Sequence, residues 1–389
     1  MKVLFLTHSF PRFLGDAPGS FLLRLAVALR GEDVQVHVVA PAAEGWPTED
    51  EMEGISVERF RYAPRRYEKL AYTGNMAQDV ASSWSARLAL VGYFGSDFVR
   101  AVGARRSFEP DIVHAHWWFP SGVVGRWLSS LADKPLVTTL HGTDVRLAKK
   151  ISMSRPLLRS VLKHSSRVTT VSSWLVSEVS TLVSVPRPEV APMPVSTNRF
   201  MRAHGMREPA RFLFAGRLNR QKGLDQLVRA FAAMTRPAML DVVGEGARGS
   251  ELKLLASQLG VSDRIVWHGQ LTQDQLLRRY QSATAVVVPS TDEGLGLVAA
   301  EALLCETPVV AFRSGGLTDV IQNGTTGVLV TPGDTAELAS ALDDVLASPE
   351  HASNLGRAGR LFALSAFAPE SAARRYANIY RQVLADRPT

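Results

Sequence analysis

The chain has 389 residues, enough for two or three domains, with 46% hydrophobic and 21% charged residues, the balance of a globular protein. A single cysteine excludes a disulfide scaffold and a Cys-rich metal site, and it implies a reducing, cytoplasmic setting. The net charge of +7 favours anionic partners such as phosphates, nucleotides or acidic lipid. No zinc-finger spacing, RNA-recognition aromatic motif or basic heptad region speaks for nucleic acid.

No apolar run is long enough for a membrane-spanning helix. The opening residues 1–7 are too short for a signal peptide and read as a buried strand. A helical stretch at 19–30 and a strand at 34–40 follow. Residues 46–53 (WPTEDEME) are acidic and without periodicity, which predicts a surface loop. Strands are expected at 111–114, 136–140 and 168–171, with helical stretches between them. This alternation predicts a parallel sheet with helices on both faces.

Residues 145–177 hold Arg146, Lys149, Lys150, Arg155, Arg159, Lys163 and Arg167 with no acid. Such a run is either a solvated helix face or a patch for an anionic lipid or phosphorylated acceptor. A proline-rich seam at 186–210 follows, and then the β/α pattern restarts. Strands are expected at 211–215, 240–243, 265–268, 284–288, 308–312 and 327–330, with helices at 224–234 and 250–259 among them. Two series imply two doubly wound domains. The expected boundaries are 1–192 with a returning helix in 369–389, and 193–368.

Chemistry concentrates where strands end. After the strand at 284–288 comes a polar loop with Asp292 and Glu293. Gly294 and Gly296 then open a helix near Leu297 and Val298, with Glu301 inside it. Free N–H groups at a helix start suit a diphosphate, and two carboxylates so placed suit a ligand rich in hydroxyls. Residues 214–223, FAGRLNRQKG, put Gly216, Arg217 and Lys222 on a strand-to-helix connection, a clamp for a diphosphate. His141 and Asp144 follow the strand at 136–140, where open α/β sheets bind ligands. Asp144 either orients His141 or caps the next helix. Gly19 closes a long first loop carrying Arg12, a cation available to an anionic group. His116 and Trp117 follow the strand at 111–114 and read as packing or an acceptor wall. The pair His114 and His116 lacks a third ligand nearby, so no metal site is assigned. GEGARG at 244–249 matches a dinucleotide fingerprint but sits on the second strand of its series rather than the first.

EGLGLVAAE at 293–301, GRLNRQKG at 216–223, HGTD at 141–144 and GGLTDV at 315–320 resemble the motifs of glycosyltransferase family 4, retaining enzymes of the GT-B fold. That resemblance implies two Rossmann-like domains facing a cleft, the N-terminal one for the acceptor and the C-terminal one for a nucleotide sugar. It implies a metal-independent retaining transfer of a hexose or hexosamine from a UDP- or GDP-sugar to a hydroxyl acceptor, with no cofactor. The acceptor expected is a lipid-linked glycan, a polysaccharide precursor or a small metabolite. The enzyme would work in the cytoplasm or at the inner face of the membrane, touching it through 145–177. Arg217 and Lys222 would neutralise the leaving diphosphate, Glu293 and His141 would position the sugar, and Glu301 would hold the ribose. Gly19, Gly216, Gly244, Gly294, Gly296, Leu297 and Val298 would line the donor. Departures are Leu295 for the usual aromatic, Ala247 for a proline, Asp319 for a glutamate and one glycine, Gly19, where the family has two. The alternatives are a nucleotide-sugar epimerase or hydrolase on the same fold, and a non-catalytic sugar-nucleotide binder.

Overall fold

The computed structural model describes residues 1–72, 76–203 and 205–387. Residue 204 of the seam and residues 388–389 of the returning segment lie outside the described residues. The chain divides into two compact units, Met1–Pro194 with Pro369–Thr389, and Val195–Ala368.

The first unit is built on strands β1 (Lys2–Leu6), β2 (Gln35–Pro41), β3 (Glu49–Met52), β4 (Ile55–Phe60), β5 (Ile112–His116), β6 (Leu136–Leu140), β7 (Arg167–Thr170) and β8 (Glu189–Val190). They form one sheet in the order β3-β4-β2-β1-β5-β6-β7-β8. Residues 49–52 depart from the loop the sequence predicts over 46–53 and form β3. Glu53 and Gly54 take φ of 51° and 77°, the left-handed pair of a tight hairpin turn, and Met52 pairs with Ile55. β3 is thus an antiparallel edge on an otherwise parallel sheet. Its acidic side chains keep that edge from pairing further.

Sheet order reverses between β1 and β5, the switch point beside which open α/β sheets bind ligands. The helix Ser20–Leu29 packs against the C-terminal helix Pro369–Ala385. A polar chain anchors that last helix. His114 Nδ1 lies 2.7 Å from the Tyr380 hydroxyl and its Nε2 2.7 Å from Thr139 Oγ1. Tyr376 donates to the Ala191 carbonyl at 3.0 Å. Fully buried hydroxyls and imidazole are tolerated because each finds a partner.

The second unit has strands β9 (Arg211–Ala215), β10 (Met239–Val243), β11 (Ile265–Gly269), β12 (Ala285–Val288), β13 (Val309–Phe312) and β14 (Val328–Val330). They are ordered β11-β10-β9-β12-β13-β14 and all pair in parallel. Near-continuous apolar runs such as Val286-Val287-Val288 suit strands covered on both faces. Phe212, Phe214, Leu227, Phe231 and Leu342 lie in one core. Here the order reverses between β9 and β12. The two loops richest in charge leave those two strands.

Candidate active site

In the second unit β9 feeds residues 216–223 and β12 feeds residues 289–296. Asn219 Oδ1 accepts from the Lys222 N–H at 3.1 Å, closing the short turn Arg220–Lys222. That turn is laced to the neighbouring loop. Thr291 N donates to the Gln221 carbonyl at 2.9 Å, and Gln221 Nε2 donates to the Asp292 carbonyl at 3.3 Å. Across this seam Lys222 Nζ donates to Glu293 Oε2 at 2.7 Å, both side chains being 17% exposed. Arg217 stands exposed beside them. Its guanidinium has no hydrogen bond or ion pair with any other described residue.

Two neighbouring loops hold this arrangement. Gly315 has φ of 61°, and a Cβ there would fall 2.3 Å from the Glu293 carbonyl oxygen. The next residue, Gly316, donates its N–H to that same carbonyl at 2.7 Å. The glycine pair therefore lets the loop after β13 buttress the backbone of Glu293. Gly244 has φ of 127°, and a Cβ there would meet the Gly216 carbonyl at 2.0 Å. The fingerprint-like run at 244–249 thus serves close packing of the β10 loop on the Arg217 loop. Arg248 in it is held by Glu251 and Asp225 at 2.5 and 3.2 Å.

The helix Leu297–Leu304 begins at Gly296. Leu297 and Val298 are half-buried in its first turn, where N–H groups have no intrahelical partner. Gly294 is buried behind them. Glu301 Oε2 accepts from the hydroxyl of fully buried Tyr280 at 2.9 Å. Burial, then the Glu301 charge, raise the Tyr280 phenol well above its ordinary value, so it stays a donor. Sequence reasoning missed Tyr280. It sits on another helix, Gln273–Ser282, behind a Thr272–Gln275 capping box, and nothing local marks it.

In the first unit, His141 is half-buried after β6. The Trp117 ring stacks on it at 4.2 Å and 29°, and His116 Nδ1 lies 3.2 Å from its Nε2. Burial, then His8 and His114, push the His141 imidazole well below its ordinary value, so it is neutral at physiological pH. Asp144 makes its hydrogen bonds to backbone N–H groups and none to that ring. Its Oδ1 accepts from the N–H groups of His141, Gly142 and Val145 at 2.9–3.1 Å, and its Oδ2 from that of Trp118 at 3.1 Å. It is a brace for the turn rather than an orienter of the imidazole.

The three residues expected at the acceptor are engaged with the protein itself. Arg12 grips Asp16 through Nε at 2.7 Å and Nη2 at 2.9 Å, so it is not an open cation. His116 is fully buried and Trp117 is 7% exposed. The Trp117 Nε1 donates to Thr143 Oγ1 at 3.0 Å. Both act on His141 rather than as an outer wall. Gly19 starts the helix Ser20–Leu29 with its α-carbon against the Ser9 backbone, so its own loop requires it. Among the described residues no group of three or more His, Cys, Asp or Glu side chains is placed to hold a metal ion.

The model of the glycosyl transferases group 1 family matches residues 197–362, and that of the glycosyl transferase 4-like domain matches residues 17–196. A D-inositol 3-phosphate glycosyltransferase of Xylanimonas cellulosilytica is 31% identical, over 96% of this chain and 94% of its own. Among solved structures, the sucrose-phosphate synthase of Thermosynechococcus elongatus superposes with a TM-score of 0.83 at 23% identity, covering 100% of both chains. HepE of Anabaena, solved in complex with UDP-glucose, gives 0.76 at 21% identity, covering 98% of this chain and 100% of its own. These likenesses establish the GT-B fold. Motif loops meeting at a switch point, two matched halves and a relative aligned nearly end to end lead to one conclusion: the chain belongs to the glycosyl transferases group 1 family.

Proposed function

We propose that the chain is a retaining glycosyltransferase that moves a hexose or hexosamine from a UDP- or GDP-sugar to an acceptor hydroxyl, in the cytoplasm and without a metal ion. The observation that carries this reading is the meeting of Lys222 and Glu293 across the β9/β12 switch point, with unpaired Arg217 alongside. A diphosphate entering there gives Lys222 a stronger partner than one carboxylate. Lys222 then turns to the diphosphate, and Glu293 is released toward a sugar hydroxyl. Glu301, steadied by Tyr280, faces the ribose. The helix start at Leu297 and Val298 adds N–H groups.

As the bond from the anomeric carbon to the diphosphate breaks, negative charge grows on the leaving phosphate. Arg217 and Lys222 stabilise it where a metal ion would otherwise serve. A leaving phosphate oxygen takes the acceptor proton, and the acceptor oxygen bonds the anomeric carbon on the face just vacated. His141 stays neutral and positions the sugar. The identity of the donor is read from the melting temperature with UDP, GDP and their sugars, because a bound ligand stabilises by mass action. Arg217→Ala should abolish most of that shift. NMR of the product should show the donor's anomeric configuration, and inversion would overturn the mechanism. Conversion of donor without acceptor would mark an epimerase or hydrolase. Binding with no turnover would mark a binder.

A further inference from the structure

Three helices of the first unit form one layer. Trp84–Phe108 lies against Val123–Ala132, which lies against Arg155–His164. The first buries Ala89, Tyr93, Asp97, Ala101 and Ala104 on the sheet side. Its opposite side is apolar as well. Trp84, Leu88, Val91 and Val99 recur at helical spacing and are 71%, 54%, 70% and 71% exposed. The stripe continues sideways, since Phe94 and Phe98 pack on Trp127 at 5.7 and 6.1 Å, and Leu131 follows one turn on. A surface helix with no partner normally turns polar residues outward, so an apolar stripe of this length marks a contact surface.

Charge decides what covers it. Asp97, which is buried, is the only acid on the three helices. Arg106, Arg126, Arg159 and Lys163 have no ion-pair partner among the described residues. The basic run at 145–177 is only partly open, because Lys149 pairs with Glu178 at 2.8 Å and Arg167 with Asp386 at 2.6 Å. Arg100 on the first helix is paired with Glu49 and Glu58 of the neighbouring strands at 3.5 and 3.2 Å, but cations beside apolar side chains, on helices whose one acid is buried, match a layer of anionic headgroups over acyl chains. A second copy of the same face would bring cation against cation. No described helix is long and apolar enough to cross a membrane, so the contact is with the surface. We propose that this helical layer docks the chain on a membrane rich in anionic lipid. The apolar stripe enters the interface, and the unpaired cations meet the headgroups.

The test uses the full chain with phosphatidylcholine vesicles, with and without phosphatidylglycerol, in co-sedimentation. The wild type should sediment with the phosphatidylglycerol vesicles and be released by salt. Leu88→Ser with Val91→Ser should weaken that binding strongly. Arg126→Gln with Arg159→Gln should weaken it by about thirtyfold, while nucleotide-dependent melting shifts are unchanged. Should the serine variant fail to fold, the charge variant alone decides, because it alters only surface cations. Three results would overturn the proposal: a wild type left in the supernatant, variants that sediment like the wild type, or a wild-type dimer that the serine variant converts to monomer.

Discussion

Lys222 Nζ and Glu293 Oε2 stand 2.7 Å apart although 71 residues separate them in the chain. Their strands are neighbours in the sheet, and the loops that leave those strands are hydrogen-bonded to each other. Proximity therefore comes from topology, and the two residues act as a unit. Lys222→Ala removes a charge-assisted donor and should weaken nucleoside diphosphate binding by about ten- to a hundredfold. Glu293→Gln should leave that binding within about threefold but cut kcat by about a hundredfold, because its task begins at the sugar. The double variant should fall short of the product of the two, as contacting residues do. Titration calorimetry and steady-state kinetics measure both. If Glu293→Gln weakens diphosphate binding as much as Lys222→Ala, the division of labour is wrong.

Tyr280 holds one oxygen of Glu301 by a hydrogen bond of 2.9 Å. Tyr280→Phe keeps the packing and removes only that donor. The Glu301 carboxylate then loses its set orientation, and nucleotide affinity should drop by about five- to tenfold, the worth of one such bond, with kcat nearly unchanged. Equal loss in kcat at constant affinity would place Glu301 at the reacting centre instead of the ribose.

Much of this site was legible in the sequence because its residues lie within short strand-to-helix connections. Arg217 and Lys222 stand on one connection, and Glu293 stands on another that opens the helix holding Glu301, so their glycines and charges are local signals. The Lys222–Glu293 pairing was not legible, since it depends on which strands lie side by side. Tyr280 was missed for the same reason. The edge strand Glu49–Met52 looked like a loop because acidic side chains can line an exposed edge without alternation. The helix Trp84–Phe108 went unread because apolar residues on both faces, with Gly92, Gly95 and Gly103 among them, erase the amphipathic period. Arg12 looked like an open cation only because its partner Asp16 is a tertiary fact of one loop.

Four histidines of the first unit, two fully buried and two half-buried, are held in the neutral form. Burial lowers His8 to about 4 and His114 to about 3, and it holds His116 and His141 well below the ordinary value. Above pH of about 6.5 both folded and unfolded forms are neutral, and these groups cost nothing. As pH falls below that point the unfolded chain takes up protons that the native chain refuses. Stability is therefore lost from about pH 6.5 downward, by roughly 1 kcal/mol per pH unit for each group, until the folded values are reached. Urea unfolding at pH 7 and pH 5 should show the loss, and His114→Gln should reduce the slope. A flat profile would mean that the cluster opens to water.

Asp97 titrates in the opposite sense. It is fully buried on the helix Trp84–Phe108, and neither carboxyl oxygen has a hydrogen-bond partner. The Tyr93 hydroxyl one turn earlier is unpartnered too. Burial alone raises the Asp97 carboxyl well above its ordinary value. In the unfolded chain this group ionises from about pH 4 upward, whereas the native chain keeps its proton. The native form thus binds more protons, and stability falls as pH rises until the folded value is passed. Asp97→Ala deletes that burden and leaves only a small cavity. At pH 8 the variant should unfold at higher urea, a gain of about 1 kcal/mol or more, while at pH 4 it should match the wild type or fall slightly below it. A variant weaker than the wild type at both pH values would show that the buried carboxyl is held by a partner after all, and that the helix depends on it.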